Sequence, residues 1–80
     1  MTFLEATEKA KQLPAQSNEN LLKLYSLFKQ ATEGDAEDGK LFNPFDFVNK
    51  AKHEAWFSLK GMTKEDAEKN YIQLVNQLMS

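Results

Sequence analysis

Apolar side chains in this chain recur every three or four residues in four separate stretches. That spacing follows the 3.6-residue turn of an α-helix and gathers the apolar groups on one face. In the first stretch the stripe is Phe3, Ala6, Ala10 and Leu13. Thr2 stands at the N-cap position, with Glu5 three residues on as its capping-box partner. Pro14 stops this helix, because the residue before a proline avoids the α region. Ser17 and Asn18 are candidate caps for a second helix, striped by Leu21, Leu24, Tyr25, Phe28 and Ala31 and widened by Leu22 and Leu27. Gly34 falls where a left-handed C-terminal residue belongs. Residues 35–43 contain Gly39 and show no apolar period until Leu41 and Phe42, which predicts one long loop. Asn43-Pro44 or Asp46 starts a third helix carrying Val48, Ala51, Lys52, Ala55, Trp56 and Leu59, and Gly61 ends it. Thr63 caps the fourth, with Asp66 as a capping-box variant, ahead of Ala67, Tyr71, Leu74, Val75 and Leu78, with Ile72 beside them. No segment alternates with period two over a useful length, so no sheet is expected. Each stripe needs another helix to cover it, which predicts a small all-α bundle.

Size and charge narrow the picture. The chain has 80 residues, which predicts one domain over residues 1–80. A chain this short buries only about 60% of its unfolded surface, so nearly every apolar residue must serve one core. There is no cysteine, hence no disulfide and no thiolate chemistry, which suits a reducing compartment. A formal charge of −2 and the absence of arginine argue against a nucleic-acid partner, which demands a basic surface. The start of the chain lacks the basic residues and apolar stretch of a secretory signal. No apolar run approaches the roughly 18 residues of a membrane span. A cytoplasmic monomer is expected.

Chemistry is sparse. His53 is the one histidine, and no serine or cysteine adjoins it in sequence. The loop from Asp35 invites a calcium reading but fails on spacing, because an EF-hand loop places glycine sixth and glutamate twelfth. Here glycine is fifth and Asp46 twelfth, so a solvated acidic loop is expected. There is no glycine-rich phosphate loop and no metal-ligand cluster, and no metal, cofactor or catalysis is expected. What remains is the placement of aromatics and lysines. Tyr25 and Lys29 are four apart, as are Lys52 and Trp56, so each pair shares a helix face. Two readings stay open on spacing alone. The aromatics are core and the lysines lay their stems over it with solvated ends. Otherwise two lysines and a tyrosine hydroxyl form an anion site beside aromatic rings.

The stretch Leu24-Tyr25-Ser26-Leu27-Phe28-Lys29-Gln30-Ala31-Thr32-Glu33-Gly34-Asp35 closely resembles the signature of the acyl-CoA-binding protein family. There a tyrosine, two residues, an aromatic, then Lys-Gln-Ala-Thr and Gly-Asp recur. Ala51-Lys52-His53-Glu54-Ala55-Trp56 with Leu59-Lys60-Gly61 agrees, as does Lys64-Glu65-Asp66-Ala67 with Tyr71-Ile72 and Val75. Order and separation match over residues 3–78.

The resemblance implies an up-down-down-up four-helix bundle that binds long-chain acyl-CoA esters non-covalently, as a carrier and buffer without catalysis. It implies a small-molecule partner and transient contact with acyl-CoA-using enzymes. Tyr25, Lys29 and Lys52 match residues that hold the adenosine 3′-phosphate region. Tyr71 matches a ligand-contacting tyrosine of the fourth helix, and Lys11 a basic contact near the end of the first. Val48 occupies a further contact position with an unusual side chain. Leu21 and Leu22 match residues lining the acyl chain. Phe3, Ala10, Leu13, Ile72, Val75 and Leu78 match the seam between the first and fourth helices. Phe28 stands where the family usually has a second tyrosine, so a hydroxyl is lost. His53 stands where it usually has tryptophan, which reduces stacking or apolar area near the ligand. The loop before Asp46 is slightly longer, with Phe45 and Phe47 keeping that approach apolar. The alternatives are a helical protein-interaction module that kept the fold without the ligand, and an acyl-CoA-handling enzyme such as a thioesterase or an isomerase accessory domain. For the latter no nucleophile, base pair or metal set is present.

Overall fold

The computed structural model describes residues 1–39 and 41–80. Four helices make up its regular structure: α1 (Phe3–Ala10), α2 (Asn18–Glu33), α3 (Phe47–Phe57) and α4 (Lys64–Met79). Among the described residues there is no strand. The predicted long loop over residues 35–43 contains no helix or strand among its described residues, and Lys40 lies outside them.

Local chemistry sets the helix ends. The Thr2 hydroxyl accepts from the Glu5 N–H at 3.1 Å while the Glu5 carboxylate accepts from the Thr2 N–H at 3.0 Å, a complete capping box. Ser17, not Asn18, caps α2 by accepting from Asn20 N–H. Asp46, not Asn43-Pro44, caps α3. The Asn43 carboxamide is used one turn earlier, accepting from Phe45 N–H in a local turn. Thr63 accepts from Asp66 N–H and so forms the forward half of a capping box. An aspartate is one methylene short of the glutamate that completes the pair at Thr2.

Two helices stop sooner than the apolar period predicts. Lys11, Gln12 and Leu13 donate to Glu8, Lys9 and Ala10, three residues back, so Leu13 belongs to a tightened turn beyond α1. Pro14 disfavours the α conformation at Leu13 and forces that exit. Leu59 likewise lies past α3, in turns closed by bonds to Trp56 and Phe57. It still packs on the core.

Side-chain contacts fix the helix directions. Phe3 at the start of α1 meets Phe28 late in α2, and Ala10 shares a cleft with Leu24, so α1 and α2 run opposite ways. Gln30, late in α2, bonds to Met62 just before α4, so α4 also opposes α2. Leu21 and Leu22 share a cleft with Phe47 and Val48, while Gly34 meets Trp56, so α2 and α3 run parallel, start beside start. The order is up, down, down, up.

The core lies where α2 and α1 meet α4. Ala6, Leu27, Tyr71 and Val75 are buried together, with Phe3, Ala10, Leu24, Ile72 and Leu74 packed around them. Of the seam named in the sequence reading, Leu13 and Leu78 fall outside this cluster. The Tyr71 ring meets Phe3 edge-on at 5.2 Å, a favoured aromatic geometry. Val75 is fully buried, worth about 1.5–3 kcal/mol of transfer free energy. By contrast α3 contributes no buried residue at all.

One polar knot anchors the lower end of α2. Gln30 is fully buried, and its amide donates to the Asp35 carboxylate and the Met62 carbonyl, each at 2.8 Å. The same Asp35 oxygen accepts from Gly61 N–H at 3.0 Å. Between these groups Gly34 takes a φ of 85°, which L side chains rarely adopt. Its carbonyl accepts the Trp56 indole N–H at 2.7 Å, which ties α3 to the end of α2. Among the described residues no helix is long and apolar enough to cross a membrane.

Candidate functional site

Because α2 and α3 run parallel, equivalent turns face each other as rungs. Val48, Lys52 and Trp56 follow one another at intervals of four, and so do Leu21, Tyr25 and Lys29. Leu21 and Val48 line one cleft at the top. Below them the Lys52 ammonium lies 4.9 Å from the centre of the Tyr25 ring. One turn lower the Lys29 ammonium lies 4.9 Å from the centre of the Trp56 ring. Each helix thus sets a lysine on an aromatic face of the other, within the range of a cation–π contact.

Three clefts border these rungs. An apolar one of about 350 Å³ is lined by Leu21, Leu22, Phe47, Val48, Ala51 and Lys52, together with Asn18. Its apolar groups are left open: Leu21 is 51% exposed, Val48 69% and Phe47 71%. Exposed apolar groups gathered in a groove mark a surface that something else covers. A larger polar cleft of about 720 Å³ lies lower, lined by Tyr25, Lys29, Glu33, Asp35, Glu37, Phe42, Asn49, His53 and Trp56. A third, of about 290 Å³, lies between α1, α2 and α4 and includes Lys11, Tyr25, Phe28 and Tyr71. Tyr25 lines both the second and the third, and Lys52 on its ring reaches the first.

The residues singled out from the sequence distribute over this face. Leu21, Leu22, Val48 and Lys52 line the apolar cleft; Tyr25 and Lys29 the polar one; Lys11, Phe28 and Tyr71, again with Tyr25, the third. Tyr71 belongs chiefly to the core, at 5% exposure, and burial holds its phenol above the usual range. Phe28 stacks on Phe3 at 6.0 Å, so its ring is used without a hydroxyl. Neither lysine end is simply solvated, contrary to the plainer reading of the spacing. Both sit on rings, and Lys29 also pairs with Glu33. That carboxylate raises the Lys29 pKa above its ordinary value, against the opposing effect of burial.

Several lining residues escaped the sequence reading. Glu33, four residues after Lys29, is within reach by helical spacing, a signal that could have found it. Asp35 and Glu37 follow in the loop, and the Gly61 N–H and Gln30 amide hold the Asp35 carboxyl below its usual range. His53 meets neighbouring rings of the chain in tilted and edge-on contacts. Its ring lies 5.3 Å from Phe42 and 6.1 Å from Trp56. Its Nε2 is 3.1 Å from the Glu37 carbonyl, an acceptor, so Nε2 carries the proton. The histidine thereby ties the acidic loop to α3, a role that depends on the folded loop and has no spacing signature. Among the described residues no cluster of three or more histidines and carboxylates is arranged to hold a metal ion.

Comparison with known proteins adds a separate line of evidence. A family model described as "Acyl CoA binding protein" matches residues 1–75. The acyl-CoA-binding protein of Saccharomyces cerevisiae is 47% identical over 79 residues, covering 98% of this chain and 90% of that protein. The crystal structure of Oryza sativa acyl-CoA-binding protein 2 superposes with a TM-score of 0.88 at 42% identity, covering 96% of this chain and 86% of that one. The enoyl-CoA delta isomerase 2 of Rattus norvegicus is 52% identical over 63 residues, which cover 79% of this chain but 16% of that enzyme.

Proposed function

The chain belongs to the acyl-CoA-binding protein family, and on that premise we propose that it binds long-chain fatty acyl-CoA esters non-covalently and carries or buffers them. The observation that supports this most is the adjacency of an open apolar cleft to two lysines held on aromatic rings. An acyl-CoA has the matching halves, an apolar tail and a phosphate-rich head. The tail gains about 0.8 kcal/mol for each CH₂ removed from water, and Leu21, Leu22 and Val48 offer it a surface. Lys29 and Lys52 offer charge-assisted hydrogen bonds to phosphate, with the Tyr25 side chain lining the same cleft as Lys29 and its ring under Lys52. Lys11, Phe28 and Tyr71 line the neighbouring cleft, which would border the remaining side of the ligand.

The role is that of a carrier without catalysis and without a cofactor. The match to the isomerase supports this, because it spans a small part of that enzyme. A monomer in a reducing cytoplasmic compartment suits a chain without cysteine, handing its ligand by transient contact to enzymes that use acyl-CoA.

Titration calorimetry with hexadecanoyl-CoA, hexadecanoate and CoA tests the proposal. The ester should bind more tightly than either half, and should remain intact afterwards. Equal affinity for the ester and the free fatty acid would overturn it, as would no binding of the ester, the result expected of an interaction module that kept only the fold.

A further inference from the structure

Glu33 stands between the Lys-Gln-Ala-Thr and Gly-Asp segments of the signature, at a position that the pattern leaves free, as it does Ser26 and Leu27. It is the last residue of α2, and its carboxylate pairs with the Lys29 ammonium. Both groups line the large polar cleft. Among the described residues lining that cleft, Lys29 is the one lysine, beside the acids Glu33, Asp35 and Glu37, and it pairs with Glu33.

Local helix energetics do not account for an acid at this position. A carboxylate in the last turn opposes the helix macrodipole, which favours cations there. A lysine four residues before a glutamate is also the weaker orientation of an i,i+4 pair. Residues that conflict with local preferences tend to stand at functional sites. Among the described residues the ion-pair partner of Glu33 is Lys29, one of the two lysines offered to an incoming phosphate.

We propose that Glu33 is a built-in competitor for the anion site: its carboxylate occupies Lys29 when the ligand is absent and must be displaced by the ligand's 3′-phosphate. The inference rests on the acyl-CoA reading above and deepens it. Asp35 is not an equivalent competitor, because its carboxylate is held by the Gln30 amide and the Gly61 N–H. A displaced Glu33 also stays near the phosphate and repels it. Glu33 therefore lowers affinity for esters that carry the 3′-phosphate, and narrows the margin by which they are preferred over esters that lack it.

The test uses the full chain and its Glu33→Gln variant, titrated with hexadecanoyl-CoA and with its 3′-dephospho analogue. The amide keeps the size of the side chain and removes its charge. We expect the variant to bind hexadecanoyl-CoA about threefold to tenfold more tightly, the scale of one exposed ion pair plus the relieved repulsion. Binding of the dephospho ester should be unchanged. Weaker binding of hexadecanoyl-CoA by the variant would make Glu33 a support for Lys29 and overturn the proposal. Equal affinity of variant and wild type would overturn it too, and so would an equal gain with both esters. If the wild-type chain binds neither ester, the acyl-CoA reading itself fails, an outcome separate from these.

Discussion

Helix α2 has two flanks that carry the same kind of apolar period and end in opposite states. Toward α4, Leu27 is buried with Val75 and Tyr71 of α4 in a closed core. Toward α3, Leu21 of α2 and Val48 of α3 remain exposed, and α3 buries none of its residues. The closed flank is held by apolar burial, which is non-directional and strong in sum. The open flank is held by a few directional contacts: the Trp56 indole on the Gly34 carbonyl, Lys52 on Tyr25 and Lys29 on Trp56. An apolar stripe therefore has two outcomes, completion by another helix or exposure to a partner. In this molecule the first supports the fold, and the second is the surface proposed for binding.

The sharpest way to break that contrast is to cut into the closed flank. Tyr71→Ala should lower folding stability by about 3–5 kcal/mol, the cost of deleting a buried aromatic ring. Urea unfolding followed by circular dichroism measures it. A loss under about 1 kcal/mol would move Tyr71 from the core to the ligand surface. The open flank should respond in the opposite sense. Lys29→Ala and Lys52→Ala should each leave stability within about 1 kcal/mol, since each removes a cation–π contact. Each should weaken hexadecanoyl-CoA binding by about 1–3 kcal/mol, the range for a hydrogen bond to a charged group. Calorimetric affinities unchanged in both variants would take these lysines out of the binding site.

Val48→Ala probes the apolar cleft more gently. Stability should stay within about 0.5 kcal/mol, as for other exposed positions. Affinity for a long-chain ester should fall by about 1–1.6 kcal/mol, up to the value of the two CH₂ equivalents removed, and affinity for a short-chain ester should not change. Equal losses with both chain lengths would mean that the tail lies elsewhere.

The smallest effect is in pH. The folded Asp35 carboxyl titrates below its ordinary value of 3.8, chiefly through the Gly61 N–H and then the Gln30 amide. Its contribution to stability is therefore complete above that value and disappears as pH falls through the lower folded value. Glu5, lowered by its bonds to Thr2, acts in the same direction. Thermal unfolding between neutral pH and about pH 3 should show falling stability on acidification, with a shallower slope in Asp35→Asn. An identical slope would detach the knot at Gln30 from the acid response.

Much of this was legible along the chain, residue by residue. Thr2, Ser17, Asp46 and Thr63 cap the helices because a short side-chain oxygen beside a free N–H is a local matter. The lengths of α1 and α3 were less legible, because Leu13 and Leu59 keep the apolar period after the backbone has left the helix. For the candidate site, the four-residue spacing showed Lys29 with Tyr25, and Lys52 with Trp56, on common faces. The contacts that form join the other pairs, Lys52 with Tyr25 and Lys29 with Trp56, across two helices. Spacing within one helix does not reveal a partner on another, and it gave no reason to place His53 against the Glu37 carbonyl.

By itself the amino-acid sequence determined the number of helices, most of their caps and the stripe each one presents, because caps and periods are encoded within a turn or two of the backbone. Only the tertiary structure decided which stripe would be closed and which left open. That choice depends on α3 running parallel to α2, with Gly34 holding the end of α2 to Trp56, and on Gln30 and Asp35 locking that end to the turn before α4. Those partners lie 22 to 32 residues apart where they cross between elements, a separation at which folding alone brings side chains together.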